Sequence, residues 1–288
     1  MATFQAQVEG LTSLSIGTSP STAELTQYLK DGVIDVTNKS IAMNPSNIKL
    51  FTRVSAERSS NGLDINGAKI VSVVREAGID NDWRNCKEVS PHLQSRVTDI
   101  GSLHFASKFN PVYSIFDNGQ ISVYPEPGAD PNTFKVYYVN NVPEDKGGDA
   151  LLHSHSDIKY FDDSKVYLVA IYAAIKSLEN HLGSLNAAPK VGGASEELTD
   201  TMTATTSDTY GTDAEFRDFS TWFTTAGEFI EDEEDEELAM LQINKINSYV
   251  QAYQAQNQAN VSAHSHLQLR HAILSRQYDS AFGAKPKE

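Results

Sequence analysis

"DSKVYLVAIYAAIKSLENHL", residues 163–182, is the stretch on which the fold class turns. Leu168, Ile171, Tyr172, Ile175, Leu178 and Leu182 recur at helical spacing, and Ala170, Ala173 and Ala174 cover most of the remaining surface. A helix that is apolar nearly all round is a buried one. This segment is therefore expected to be the central packing element of a domain. Asp162, Asp163 or Ser164 can cap its start, and Gly183 is expected to end it.

Upstream, residues 19–41 predict a first helix. Ser21 followed by Glu24 is a capping box, and Leu25, Leu29, Val33 and Val36 then fall on one face. Gly32 is a weak point within it. Residues 48–140 change period. "IKLFTRV" (48–54), "AKIVSVVRE" (68–76) and "TFKVYYV" (133–139) alternate or are β-branched, which predicts strands. "YSIFDNGQISVYPEPG" (113–128) predicts a hairpin, with Asn118-Gly119 supplying the positive φ of a tight two-residue turn. Pro125 and Pro127 remove ladder donors, so the strand ending at Tyr124 lies at a sheet edge or stops there. "SSNGLDING" (59–67) reads as a turn or short arm. About five antiparallel strands are expected.

Downstream, residues 184–227 are too poor in large aliphatics to form a core. "FRDFSTWFTTAGEFI" (216–230) reads as an aromatic docking segment within that loop, through Phe219, Trp222, Phe223 and Ile230. "EFIEDEEDEE" (228–237) holds eight acids in ten positions. From about 238 to 282 a seam runs without a slip through Ala239, Ile243, Ile246, Val250, Tyr253, Asn257, Asn260, His264, Leu267, His271, Leu274 and Tyr278. A helix of about 45 residues spans roughly 65–70 Å at 1.5 Å per residue. That exceeds what a compact domain needs, so neighbouring chains are expected to cover its apolar stripe.

The expected fold class is α+β: a helical packing domain with an inserted small antiparallel β-domain and a long C-terminal helix. Its parts are a helical segment (1–47), the β-domain (48–145), a buried core helix (146–185), a Thr- and acid-rich loop (186–235), and the long helix with its tail (236–288).

The formal charge of −15 is uneven. Residues 1–150 carry 13 Lys+Arg against 17 Asp+Glu, residues 151–237 carry 5 against 19, and residues 238–288 carry 5 against 2. So acidic a chain is poorly suited to clamping nucleic acid through phosphates. It remains compatible with lining a passage through which nucleic acid slides. No run of about 18 apolar residues predicts a membrane span, and "MATFQAQVEG" lacks the basic and apolar regions of a secretory signal. The single cysteine, Cys86, allows no internal disulfide and fits synthesis in a reducing cytoplasm.

Chemistry-bearing motifs are few. "HSHSD" (153–157) copies most of an HxHxDH metal motif, but Ile158 replaces the final His; a polar loop before a helix is the simpler reading. His264 and His266 lie at i, i+2 and point apart. The acidic run lacks the glycine and spaced oxygens of a calcium loop and complements the dipole of the helix it precedes. Arg270, Arg276, Lys285 and Lys287 make that helix acid-to-base polarised; the helical reading is the simpler one, and in a ring of identical subunits such ends can also steer neighbours. "GGDALLHS" and "VGGAS" carry no GK[ST], so no phosphate loop is read. No catalytic triad, paired carboxylates or cofactor fingerprint is found; the expectation is no enzyme and no cofactor.

Three stretches carry a family resemblance. "STAELTQYLKDGVIDVTNKS" resembles the opening helix of tailed-bacteriophage head–tail connector (adaptor or neck) proteins, where "LTxxLxDGxxxVxN" variants recur. "PVYSIFDNGQISVYPEPG…FKVYYVNNVPE" resembles their Tyr-containing hairpin and following strand, and "DDSKVYLVAIYAAIKSLENHLG" the helix after it. The likeness covers roughly residues 1–185 and returns as architecture in 236–282. It implies a structural virion protein, a homo-oligomeric ring of commonly twelve copies below the portal. Such a ring links capsid to tail and leaves a lumen for genome DNA without sequence-specific binding and without a membrane. By carry-over, Leu267, Arg270, Leu274, Arg276, Tyr278 and Phe282 are expected to meet the portal. Asn118, Gly119 and Tyr124 of the hairpin are expected to face a tail, nozzle or stopper protein. Ile243, Ile246, Val250 and Tyr253 are expected to form the seam between subunits. The alternatives are another tail or baseplate protein, a cytoplasmic coiled-coil scaffold unrelated to phage, or a metal-dependent hydrolase using His153, His155 and Asp157.

Overall fold

The computed structural model describes residues 2–17, 19–79, 81–116, 119–187 and 236–283, with positions 224, 227 and 230. The architecture is α+β. The chain divides into two units, Met1–Ser177 with Leu274–Glu288, and Leu178–Ile273.

The first unit opens with α1 (Phe4–Thr12), which the sequence reading did not foresee. Thr3 caps it by accepting from the Ala6 amide at 3.2 Å, and Phe4, Val8 and Thr12 form its buried face. α2 (Thr22–Met43) starts on the expected capping box: the Ser21 hydroxyl accepts from the Glu24 amide, and Glu24 accepts from the Ser21 amide at 2.7 Å. Leu25, Leu29, Val33 and Val36 are buried as their spacing predicts. Each contributes about 1.5–3 kcal/mol by leaving water. Gly32 has a packing role: a Cβ there would stand 3.0 Å from Cδ1 of Tyr172.

Residues 48–51, expected as strand, belong to a 3-10 helix, Pro45–Phe51. Asn44 accepts from the Ser46 amide at 3.0 Å and Pro45 presets the first turn, which overrides the β-branched pattern. Only Thr52–Val54 forms a strand, β1.

Among the described residues eight strands make two four-stranded sheets. The first has the order β1-β8-β3-β4 and is antiparallel throughout, with β3 (Ile70–Glu76), β4 (Trp83–Asn85) and β8 (Phe134–Val139). The second has the order β2-β7-β6-β5, from β2 (Leu63–Asp64), β5 (Lys87–Glu88), β6 (Val112–Phe116) and β7 (Gln120–Tyr124). Its β5–β6 pair is parallel, against the all-antiparallel expectation. The sheets face each other across Val73, Phe134 and Val136 on one side and Leu63, Ile121, Val123 and Tyr113 on the other. The second sheet buries its other face too, where Val112 and Tyr124 pack with Val97 of α3 (Gln94–Thr98) and Ala106.

The turns differ from expectation in one instructive respect. In the β6–β7 hairpin Phe116 pairs with Gln120, so three residues close the loop, and Gly119 takes φ +111 as its last residue. The tight two-residue turn is made instead by Asn66-Gly67, with φ +52 and +70, closed by the Ala68 amide on the Ile65 carbonyl at 3.0 Å. That turn carries the chain from one sheet to the other.

α4 (Val166–Ala187) follows a short 3-10 turn capped by Asp162, which accepts from the Ser164 amide at 3.0 Å. In the first unit its Leu168, Val169, Ala170, Ile171, Ala173, Ala174 and Ile175 are all buried, as expected of the central element. The helix continues four residues past Gly183, which was expected to end it. The last elements of the first unit are residues 274–281 at the end of α5 (Glu236–Ala281), where Leu274 and Tyr278 are buried.

The second unit holds the end of α4 and residues 236–273 of α5. Glu236 and Glu237 occupy the first turn of α5, where they complement its dipole. Within this unit His271 Nε2 lies 3.3 Å from Glu179 Oε1, so the two helices meet side by side. The Thr-rich loop and aromatic docking segment expected over 186–235 lie outside the described residues, apart from 186–187 and the isolated positions.

Candidate interaction surfaces

The residues expected to meet a portal separate into two groups. Leu274 and Tyr278 are buried on the chain's own first unit, which corrects their assignment. Tyr278 packs its ring 5.8 Å from that of Tyr172 and 5.3 Å from Phe282, lies under Lys39 Nζ at 4.6 Å, and donates its hydroxyl to Asp35 Oδ2 at 2.5 Å. Burial raises the Tyr278 phenol well above the usual range, and Asp35 adds to this by accepting its proton and by its charge. Side chains spent in this way have no face left for a second chain. Leu267, Arg270 and Phe282 are half-buried and Arg276 is exposed, so these four keep surface.

The seam expected between subunits is corrected likewise at Ile246, which is buried within the chain; Val250 is half-buried and Ile243 exposed. The Tyr253 side chain lies outside the described residues. Among its described residues the seam is thus covered only in part, with Ile246 inward and Ile243 in water. Further large apolar side chains stay in water beside it. Leu238, Met240 and Leu241 are 42%, 68% and 65% exposed, close beside Ile243. On the first turns of α5 large apolar side chains thus point in several directions at once.

On the hairpin, Tyr124 does not face outward. It is buried against Val97, Ala106 and Val112, and its hydroxyl accepts from Gln94 Nε2 at 2.9 Å. This corrects its tail-facing assignment; alternation places it on the face that the 89–106 segment covers. Gly119 is at the hairpin tip, half-buried, and Asn118 lies outside the described residues.

The HSHSD segment holds backbone together. The carbonyls of His153 and His155 accept from the Gln5 and Phe4 amides at 3.0 and 2.8 Å, satisfying donors that the start of α1 leaves open. His153 Nδ1 lies 3.2 Å from Thr26 Oγ1, His155 Nδ1 accepts from the Leu152 amide at 3.3 Å, and Asp157 Oδ1 accepts from the Lys146 amide at 3.0 Å. Among the described residues no three His, Cys, Asp or Glu side chains gather as a metal set.

Cys86 is buried in the inter-sheet core, and burial pushes its thiol up to about 12 even with Arg75 nearby. Arg75 is the least expected residue of the β-domain. It is buried, and its guanidinium donates to the carbonyls of Pro125 (3.0 Å), Glu76 (2.6 Å) and Glu126 (3.1 Å). The clue in the sequence was a lone Arg inside an apolar strand upstream of a Pro-Glu-Pro exit.

Two further surfaces went unread in the sequence. One is an open, largely apolar groove of about 520 Å³ on the outer face of the first sheet. The other is a turn between Val97 and Ala106 that holds Ile100 and Leu103 in water, 84% and 104% exposed. Among the described residues no helix is long and apolar enough to cross a membrane. No protein-family model matches the chain, and no curated protein matches it.

Proposed function

We propose that the chain is a structural virion subunit of a tailed-phage head–tail connector, assembling into a ring that links portal to tail around a lumen for DNA. The resemblance over residues 1–185 suggests the family. The observation that carries the assembly is the start of α5, where Leu238, Met240 and Leu241 stay in water on a 46-residue helix. Large apolar side chains held in water on several faces of one short stretch of helix favour contacts with other chains. Half-buried Leu267, Arg270 and Phe282, with exposed Arg276, remain the portal-facing candidates. The negative charge suits a channel that must not retain DNA.

The test is electron microscopy of the purified full chain, alone and mixed with the portal ring of the same phage. Annular particles docked coaxially on the portal are expected. A chain that stays monomeric and binds neither portal nor tail components overturns the reading. Rings that bind only tail or baseplate components shift it to that runner-up.

A further inference from the structure

We propose that successive copies of this chain join head to tail through the β-domain: Ile100 and Leu103 of one copy enter the outer groove of the next. The inference rests on the ring reading above and names the contact that would build it.

The knob is stiff. Between Val97 and Ala106, both buried, the backbone closes on itself: Ser102 N–H to Asp99 O at 3.0 Å, Phe105 N–H to Ser102 O at 3.1 Å, and Ala106 N–H to Val97 O at 2.9 Å. Gly101 and His104 amides add bonds to the Asp99 and Ser102 side chains at 2.9 and 3.1 Å. These bonds fix the turn with its two aliphatic side chains outward. A preorganised knob loses little entropy on docking.

The hole lies on the opposite side of the same sandwich. Val54 and Tyr137 pair across β1 and β8 on the outer face of the first sheet. A bulge between Ile70 and Ser72 turns Val71 to that side as well. Ile48 and Tyr160 complete the walls. The volume of about 520 Å³ falls within the range of natural binding pockets, roughly 300–1,000 Å³, and has room for two aliphatic side chains. The rims also match in charge. Exposed Asp99 stands beside the knob, and exposed Lys49 lines the groove.

The positions decide the symmetry. The knob projects from the layer outside the second sheet, and the groove opens outside the first. A knob and hole on opposite faces cannot be self-complementary about a two-fold axis. They form a heterologous contact, which closes into a ring where the rotation allows and otherwise propagates as a filament.

The experiment uses two full-length variants with different tags, Leu103→Cys and Val71→Cys, under mild oxidation. Cys86 is buried and serves as the internal control. A disulfide-linked heterodimer is expected only when the two are mixed, and the Leu103→Cys/Val71→Cys double variant should give a ladder of linked copies. In a second arm, Leu103→Asp should keep the wild-type melting curve, since the side chain is fully exposed, and raise the concentration needed for assembly at least ten-fold. Wild-type rings without 71–103 linkage overturn this inference and leave the ring reading standing. Leu103→Cys linking only to itself overturns it in favour of a two-fold contact. A wild-type chain that stays monomeric and gives no heterodimer overturns both.

Discussion

The Tyr278 hydroxyl donates to Asp35 Oδ2 at 2.5 Å, across 243 residues of sequence. Lys39, one turn further along α2, lies 2.9 Å from the same carboxylate oxygen and 4.6 Å above the tyrosine ring. The end of the last helix is therefore clasped to the second. Tyr278→Phe keeps the ring and removes one hydrogen bond, so a loss of about 1 kcal/mol is expected. Tyr278→Ala should cost about 3–5 kcal/mol by opening a cavity. Urea melts of the two variants check the ratio; equal losses would mean that the ring contributes nothing.

Alkaline pH should weaken the fold. Cys86 and Tyr278 both have folded pKa values raised above their unfolded ones, chiefly by burial. Each holds its proton more tightly when folded. Their contribution is complete below the unfolded pKa, about 8.5 for Cys and 10 for Tyr, and is lost as pH rises through the folded value. For Cys86 the loss should approach about 1.4 kcal/mol per pH unit between about pH 9 and 12. Cys86→Ala should flatten that slope in pH-dependent denaturation, and an unchanged slope would assign it elsewhere.

Two helical glycines should respond with opposite sign. Gly10 in α1 has nothing within 4 Å of its would-be Cβ, so Gly10→Ala should stabilise by about 0.5–1 kcal/mol through helix propensity. Gly32 in α2 has Tyr172 Cδ1 at 3.0 Å. Gly32→Ala should destabilise by about 1 kcal/mol, because overpacking of about 1–3 kcal/mol exceeds the propensity gain. Thermal melts of both variants decide it; a stabilised Gly32→Ala would show that the ring moves freely.

Arg75→Lys should destabilise by roughly 2 kcal/mol, since an ammonium cannot reproduce a fork reaching three carbonyls and leaves at least one part-buried acceptor unpaired. Faster amide exchange confined to the 124–134 segment is the companion readout. Exchange rising uniformly across both sheets would instead point to a general loss of stability.

Chelation should leave the melting temperature unchanged, because both histidines and the aspartate of HSHSD are engaged with Thr26 and backbone amides. Thr26→Val should cost about 1 kcal/mol by removing the hydroxyl that binds the His153 amide at 3.2 Å. A fall in melting temperature on adding EDTA would restore the metal reading.

The sequence alone determined those elements whose signal is local. The capping box at Ser21, the apolar wrap of 166–175, the alternation of 134–139 and the long period after 236 were each legible, because hydrogen-bond capping and side-chain period act within a few residues. The Phe4, Val8, Thr12 spacing that marks α1 was equally visible and went unread. Which partner covers an apolar stripe is not a local property. Leu274, Tyr278 and Ile246 carry the same period whether they meet a neighbour or their own chain, and only tertiary packing assigned them inward. The same holds for Tyr124, whose burial depends on a segment some 20 to 30 residues earlier, and for the knob and groove, which packing alone places on opposite faces of one sandwich. Period fixes which residues share a face; the free energy of the whole assembled core decides what that face touches.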